Sequence, residues 1–374
     1  MVSIRDWIKQ HRRPLLVTMG IFGAGYVCYQ TIKAYQMRVV IENQKEEYKA
    51  RASVMRQAEQ RIEAQLQVHF QNIQRISDTT TLPSILLRLK SQIFFLLDLS
   101  RLTEELEQDK ENSRLGAQER IECWEKLKIT SFSRATCCMF ALTIAVLFVR
   151  VQFNILARHV YLATARDMSN AEKLDYRKEL SKACQQKYLL CPEFLADKGV
   201  EILKGDVEAA VINMLGSKSM MDLCGLADLR EIFTSICLNL EHSQVEWLAS
   251  MVLRNAAPQD HPETSLEDEA GTLEQLFSET RDILKSQEFK EVLAASFETV
   301  LDGVMEEFEA IFEGGQGGRV PLAKLLPPVS GIGVLLLEQP DENRFVKSIT
   351  NLEEVQSFCV SVYSASRAQQ EADL

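Results

Sequence analysis

The residue types that most often carry chemistry are present in this chain but do not converge. Its five histidines, His11, His69, His159, His242 and His261, lie far apart. None belongs to an H-E-x-x-H pattern, which would set two imidazoles on one helix face around a metal. Nine cysteines, Cys28, Cys123, Cys137, Cys138, Cys184, Cys191, Cys224, Cys237 and Cys359, form no C-x-x-C pair, and no histidine stands at zinc-ligand spacing from them. Most sit among apolar residues at helical spacing, where a free thiol behaves as a small hydrophobe, so they read as reduced core thiols. There is no G-x-S-x-G elbow, kinase signature set or dinucleotide fingerprint. The run GGQGG at 314–318 lacks the lysine and hydroxyl of a phosphate-binding loop. Carboxylates are abundant, but they interleave with Lys and Arg as on a solvated helix face. These residues point to no enzyme, no metal and no cofactor.

One residue does stand out. Trp124 lies in the run R-I-E-C-W-E-K-L-K, residues 120–128, with Ile121 three positions before it and Leu127 three after. On a helix these share one stripe, and charged residues on both flanks keep that stripe narrow and near the surface. Two readings stand side by side. Trp124 covers the core as a half-buried aromatic, or it is an anchor for a partner, since Trp is enriched at binding hot spots.

The elements that must position this stripe are helical. Only 9 Pro and 16 Gly interrupt 374 residues, and 46% of the chain is hydrophobic, enough for long helices around a substantial core. A formal net charge of −11 argues against a nucleic-acid binder, which normally carries a basic surface. The N-terminus is locally basic, with a cluster of Lys9, Arg12 and Arg13, and residues Leu15 to Ile32 then run without a charge. Such a helix reaches about 27 Å, enough for a bilayer core. Leu15, Ile21, Phe22 and Ile32 are its apolar markers, and it reads as an anchor rather than a cleaved signal peptide, because the run is long and helical patterning continues past it. From Lys33 to Ser77 there is neither Gly nor Pro, which extends one amphipathic helix bearing Met55, Ile62, Leu66, Phe70 and Ile73, with SDTTT at 77–81 as its stop. Thr81 is then expected to cap a helix from Pro83 to about Gln108.

A second uncharged run, Ala135 to Val149, reaches only about 22 Å and reads as a buried core helix, not a second span. Arg150, Asn154 and Arg158 follow at intervals of four, a polar stripe costly in lipid but acceptable in a soluble bundle. Helices are expected at about 171–190, 193–215, 219–253, 273–285, 288–312 and 352–365, a surface loop at 255–270, irregular chain around VPLAKLLPPVSG, and no strand except a weak candidate at 333–337.

At these residues the chain resembles a known family. The tract W-E-K-L-K-I-T-S-F-S-R-A-T from Trp124, then R-V-Q-F-N-I-L, S-E-T-R-D-I-L-K-S-Q-E-F, P-L-A-K-L-L-P and E-E-V-Q-S-F-C-V-S-V-Y are similar, in the same order, to the peroxin-3 family of peroxisome biogenesis factors. The resemblance implies an all-α protein of the peroxisomal membrane with three parts. These are a short matrix segment (1–13), a single transmembrane anchor (14–32) and a large elongated cytosolic helical bundle (33–374). It implies docking of peroxin-19, the soluble carrier of newly made peroxisomal membrane proteins, whose amphipathic helix enters a hydrophobic groove. On this analogy Trp124 and Leu127 line the groove, with Ile121 on their stripe, Leu102, Thr103 and Leu106 from the preceding helix, and Arg120 as a polar flank. The two helices are expected to be joined by a loop from about Glu107 to Gln118. Peroxisomal membrane lipid is the other expected partner; nucleic acid and small-molecule substrates are not. A membrane-anchored scaffold or organelle tether that handles no cargo is the competing function.

Overall fold

A computed structural model describes the backbone of residues 12–112, 116–169, 181–253, 267–313, 317–338 and 342–364. Side chains at 12–32, 110–112, 162–169, 241–253 and 267–270, and at scattered positions between 34 and 63, lie outside the description. The chain opens with α1 (Arg12–Ile76), a π-helical turn (Ser77–Thr81), α2 (Leu82–Leu96) and α3 (Ser100–Asn112). The longest core element, α4 (Ala117–Ser169), follows, and then α5 (Lys182–Leu189), α6 (Cys191–Phe194), a second π-helical turn (Leu195–Gly199) and α7 (Val200–Leu215). After β1 (Leu223–Gly225) come α8 (Leu226–Leu253), α9 (Glu267–Lys285) and α10 (Gln287–Glu313). The chain closes with β2 (Arg319–Pro321), α11 (Leu322–Leu337), α12 (Arg344–Asn351) and α13 (Glu353–Ser364). The all-α expectation holds. The expected anchor falls on a helical backbone, but Leu15, Ile21, Phe22 and Ile32 lie outside the described side chains, as do Lys9, Arg12 and Arg13.

The chain divides into two compact units, residues 1–69 and Phe70–Leu374. In the first, Tyr35, Met37, Tyr48, Val54 and Met55 are exposed. Met55, on the apolar spacing of the expected amphipathic helix, is thus open to solvent.

The second unit is organised around α4, against which α2, α7, α10, α11 and α13 all pack. Every residue from Ala135 to Arg158 is buried. This stretch is long and apolar enough by composition to cross a membrane, with a mean hydropathy of 1.9 over its best window, yet 94% of that window is buried inside the fold. The core-helix reading therefore agrees with the structure. The polar stripe shows why burial is tolerated. Arg150 pairs with Asp78 at 2.5 Å, and Asn154 accepts from Gln74 at 2.5 Å. Arg158 pairs with Glu279 and donates to the Val362 carbonyl at 2.6 Å. Buried charges are retained where partners replace water.

Several local expectations are corrected. SDTTT does not stop α1: it forms the π-helical turn, and Thr81 makes no capping bond. The helix expected from Pro83 to Gln108 breaks at Leu97, where φ is −122° and ψ is 55°. Asp98 then accepts the Ser100 N–H at 2.9 Å, a bond that satisfies a donor left open at the start of α3 and holds the Asp98 carboxyl below its usual range. VPLAKLLPPVSG is not irregular. It enters α11, which keeps Pro327 and Pro328 because Leu322, Leu325, Leu326, Val329, Ile332 and Leu336 are all buried at helical spacing. The candidate strand 333–337 lies in that helix. The sheet is instead β1 paired antiparallel to β2, Leu223 opposite Pro321 and Gly225 opposite Arg319. The expected helix 219–253 begins only at Leu226, whereas the one expected at 352–365 is α13, Glu353–Ser364. Most of the loop expected at 255–270 lies outside the described residues.

Candidate functional site

The stripe singled out in the sequence lies in the first turns of α4, beside α3. Gly116 precedes the helix, and its N–H donates to Glu119 Oε2 at 2.8 Å. A carboxylate at the third helical position thus satisfies an otherwise open donor and fixes where α4 begins. The expected loop of 107–118 is largely absent: α3 runs through Asn112 and α4 resumes at Ala117. Because the connection is short, α3 packs back against α4.

Along the stripe, burial deepens with each turn. Ile121 is 57% exposed, Trp124 is half-buried against the core, and Leu127 is 5% exposed. On α3, Leu106 is 6% exposed and Leu102 packs partly buried on the same cluster. Leu106 and Leu127 are thus buried, Leu102 and Trp124 partly covered, and Ile121 open to solvent. Thr103 is exposed. Its hydroxyl donates to the Leu99 and Ser100 carbonyls, at 2.7 and 2.9 Å, so it borders the surface as a satisfied group. Arg120 Nε lies 2.5 Å from Asp109 Oδ2, a carboxylate that is itself buried. This pair ties α3 to α4 at the rim.

The opposite side of Trp124 was not legible in the sequence. Lys128 stands in a charged run that reads as surface, yet its side chain is completely buried. Its ammonium donates to the Lys218 carbonyl at 2.6 Å and meets Glu125 at 2.5 Å. Lys218 belongs to the segment between α7 and β1, which therefore lies against the start of α4. No spacing rule links residues 90 positions apart.

Among the described residues no cluster of His, Cys, Asp and Glu can hold a metal. Cys123 approaches the Leu102 carbonyl at 3.8 Å and Glu105 at 4.0 Å. Burial, and then the Glu105 charge, push its thiol up, away from the thiolate a nucleophile needs. Elsewhere burial raises Cys138 to about 12. What this surface offers is an aromatic and aliphatic face with a polar rim, the chemistry of non-covalent recognition.

Comparison with known proteins identifies the family. Residues 112–365 match the Peroxin-3 family, a span that contains Trp124, α4 and every later described element. Peroxisome biogenesis protein 3-2 of Arabidopsis thaliana is 30% identical over 97% of this chain and 99% of its own length. The peroxisomal biogenesis factor 3 proteins of Mus musculus and Homo sapiens are each 28% identical over 99% of both chains. With a family match over most of its length and full-length relatives in plants and mammals, the chain belongs to the peroxin-3 family.

Proposed function

We propose that this protein acts in peroxisome biogenesis as a membrane-anchored docking receptor for peroxin-19, taking an amphipathic helix of that carrier on the α3–α4 surface. The names of its relatives support the organelle and the process. The observation that carries the site is the gradient from Leu127 to Ile121. A half-buried indole with an exposed aliphatic beside it, on rigid helices, is apolar surface that core packing does not require. An amphipathic helix laid on such a surface inserts side chains at one-turn spacing. It needs no cofactor. Leu15–Ile32 anchors the receptor in the peroxisomal membrane, with residues 1–13 on the matrix side and 33–374 in the cytosol.

The test is a titration of the full chain, in detergent micelles, with a synthetic peptide of the peroxin-19 N-terminal helix. Saturable binding is expected, weakened at least about tenfold by Ile121→Asp. That substitution lies on an exposed position, so melting should stay within about 1–2 °C of wild type. Absence of binding by the wild-type chain, or binding indifferent to Ile121→Asp, overturns the assignment. Many partners and no dominant helical ligand would favour the tether.

A further inference from the structure

The α3–α4 surface has a second wall. At about 100° per residue, with Trp124 taken as zero, Cys123 lies at about −100° and Arg120 at about −40° on the α4 wheel. Both residues touch α3, through Leu102, Glu105 and Asp109. Lys128 lies at about +40° and Glu125 at about +100°, and Lys128 meets the segment of residues 216–222. Trp124 therefore points between α3 on one side and this segment on the other.

The segment is tied down along its backbone. Gly216 N–H donates to the Ile212 carbonyl at 2.8 Å, and Lys218 N–H to Leu215 at 3.1 Å. Ser219 N–H donates to Asp222 Oδ2 at 2.8 Å. From α11, the Ala323 N–H donates to the Met220 carbonyl at 3.0 Å and the Leu322 N–H to Asp222 at 2.9 Å. Lys128 adds a charge-assisted bond at 2.6 Å from beneath. On this fixed backbone Met220 turns into the core cluster, while the next side chain, Met221, is 74% exposed. Methionine is a polarisable, adaptable contact residue, frequent on surfaces that receive helices. Lys218 is exposed, and among the described residues no carboxylate pairs with its ammonium.

We propose that residues 217–222 form the second wall of the docking surface, with Met221 a contact residue for the bound helix and Lys128 the positioning residue that holds the wall in place. The occupant is an amphipathic helix with its apolar stripe between Trp124 and Met221 and a carboxylate on the flank that meets Lys218. This rests on the docking function proposed above and adds to it the face that α3 does not supply. Burial of Lys128 follows from the role: an ammonium with no exposed surface, bonded to a loop carbonyl, has its extension fixed by that loop.

The experiment uses the full chain in detergent micelles and the peroxin-19 N-terminal helix peptide, read by fluorescence anisotropy. Met221→Asp should weaken binding about tenfold or more, and Met221→Leu should stay within about threefold of wild type. Lys128→Met should weaken binding by a similar factor. Combined with Met221→Asp it should cost little more, because a displaced wall has no contact left to lose; a merely structural lysine would give additive losses. Lys218→Glu should weaken binding and flatten its salt dependence. Should Lys128→Met fail to fold, the exposed Met221 and Lys218 variants decide alone. Loss of binding in Trp124→Ala, with Met221→Asp and Lys218→Glu both binding as wild type, overturns the second wall and leaves the docking function standing. Normal binding in Trp124→Ala as well overturns both.

Discussion

Truncating Trp124 separates an interface anchor from a core residue, because the two roles load different measurements. Trp124 is partly buried and packs against the core, three residues before the buried Leu127. A fully buried large aromatic costs about 3–5 kcal/mol of stability when cut to alanine. Trp124 keeps only a minority of its surface in water, so Trp124→Ala should cost about 2–3 kcal/mol, a fall in melting temperature of about 3–5 °C for a unit of this size. At a docking surface, truncation of a central Trp costs about 2–4 kcal/mol of binding, roughly thirty- to a thousand-fold in affinity. The assay is a pair: a thermal melt, and an anisotropy titration with the peroxin-19 helix peptide. Affinity should collapse while the melt shifts by a few degrees. A variant that melts more than about 10 °C lower and still binds normally would refute the reasoning and return Trp124 to the core.

A fusion of residues 1–45 to a fluorescent protein should lodge in an organelle membrane and resist carbonate extraction, as the uncharged Leu15–Ile32 run requires; release of a cleaved fusion into the medium would mean a signal peptide. A chain shortened to residues 34–374 should stay soluble without detergent and be strongly helical by circular dichroism, since the apolar part of α4 is covered from within; its partition into membranes as an integral protein would restore a second span. Stability should fall on alkalinisation. Burial raises the thiols of Cys138 and Cys191 to about 12 against about 8.5 in the unfolded chain. Folded values above unfolded ones mean a contribution fully present below about pH 8.5 and lost as pH rises towards 12, near 1.4 kcal/mol per unit for each thiol. The denaturant midpoint should therefore drop between pH 8 and pH 10 by the equivalent of about 4 kcal/mol, and an unchanged midpoint would show these thiols to be solvent-accessible.

The helical class was legible because Gly and Pro are sparse and apolar spacing is regular, and the burial of α4 was legible because its polar residues recur every four positions. The element ends were less so. Asp98 begins a helix in a run with neither Gly nor Pro, since its carboxylate accepts the Ser100 N–H, and nothing in Leu97 foretells the break. Pro327 and Pro328 argued for irregular chain, but the burial of six neighbouring apolar side chains outweighs the lost backbone bonds. Three-residue strands such as β1 and β2 lie below the length at which alternation can be recognised. At the site, the Ile121–Trp124–Leu127 stripe came from local spacing, and exposure falls along it from Ile121 to Leu127. The other wall joins Lys128 to Lys218 and Met220 to Ala323, long-range pairings set by tertiary packing alone.

The central claim is that the helix docks at the Trp124 end of α4, and position-resolved photocrosslinking tests it most directly. Ile121 and Val360 are comparably exposed, at 57% and 50%, but sit at opposite ends of the bundle. Arg158 bonds the α13 residue Val362 about 50 Å along α4 from Trp124. A photoreactive residue at 121 should capture peroxin-19 through its N-terminal helix, while the same residue at 360 should not. Capture at 360 with none at 121 would place the docking surface elsewhere and contradict the assignment.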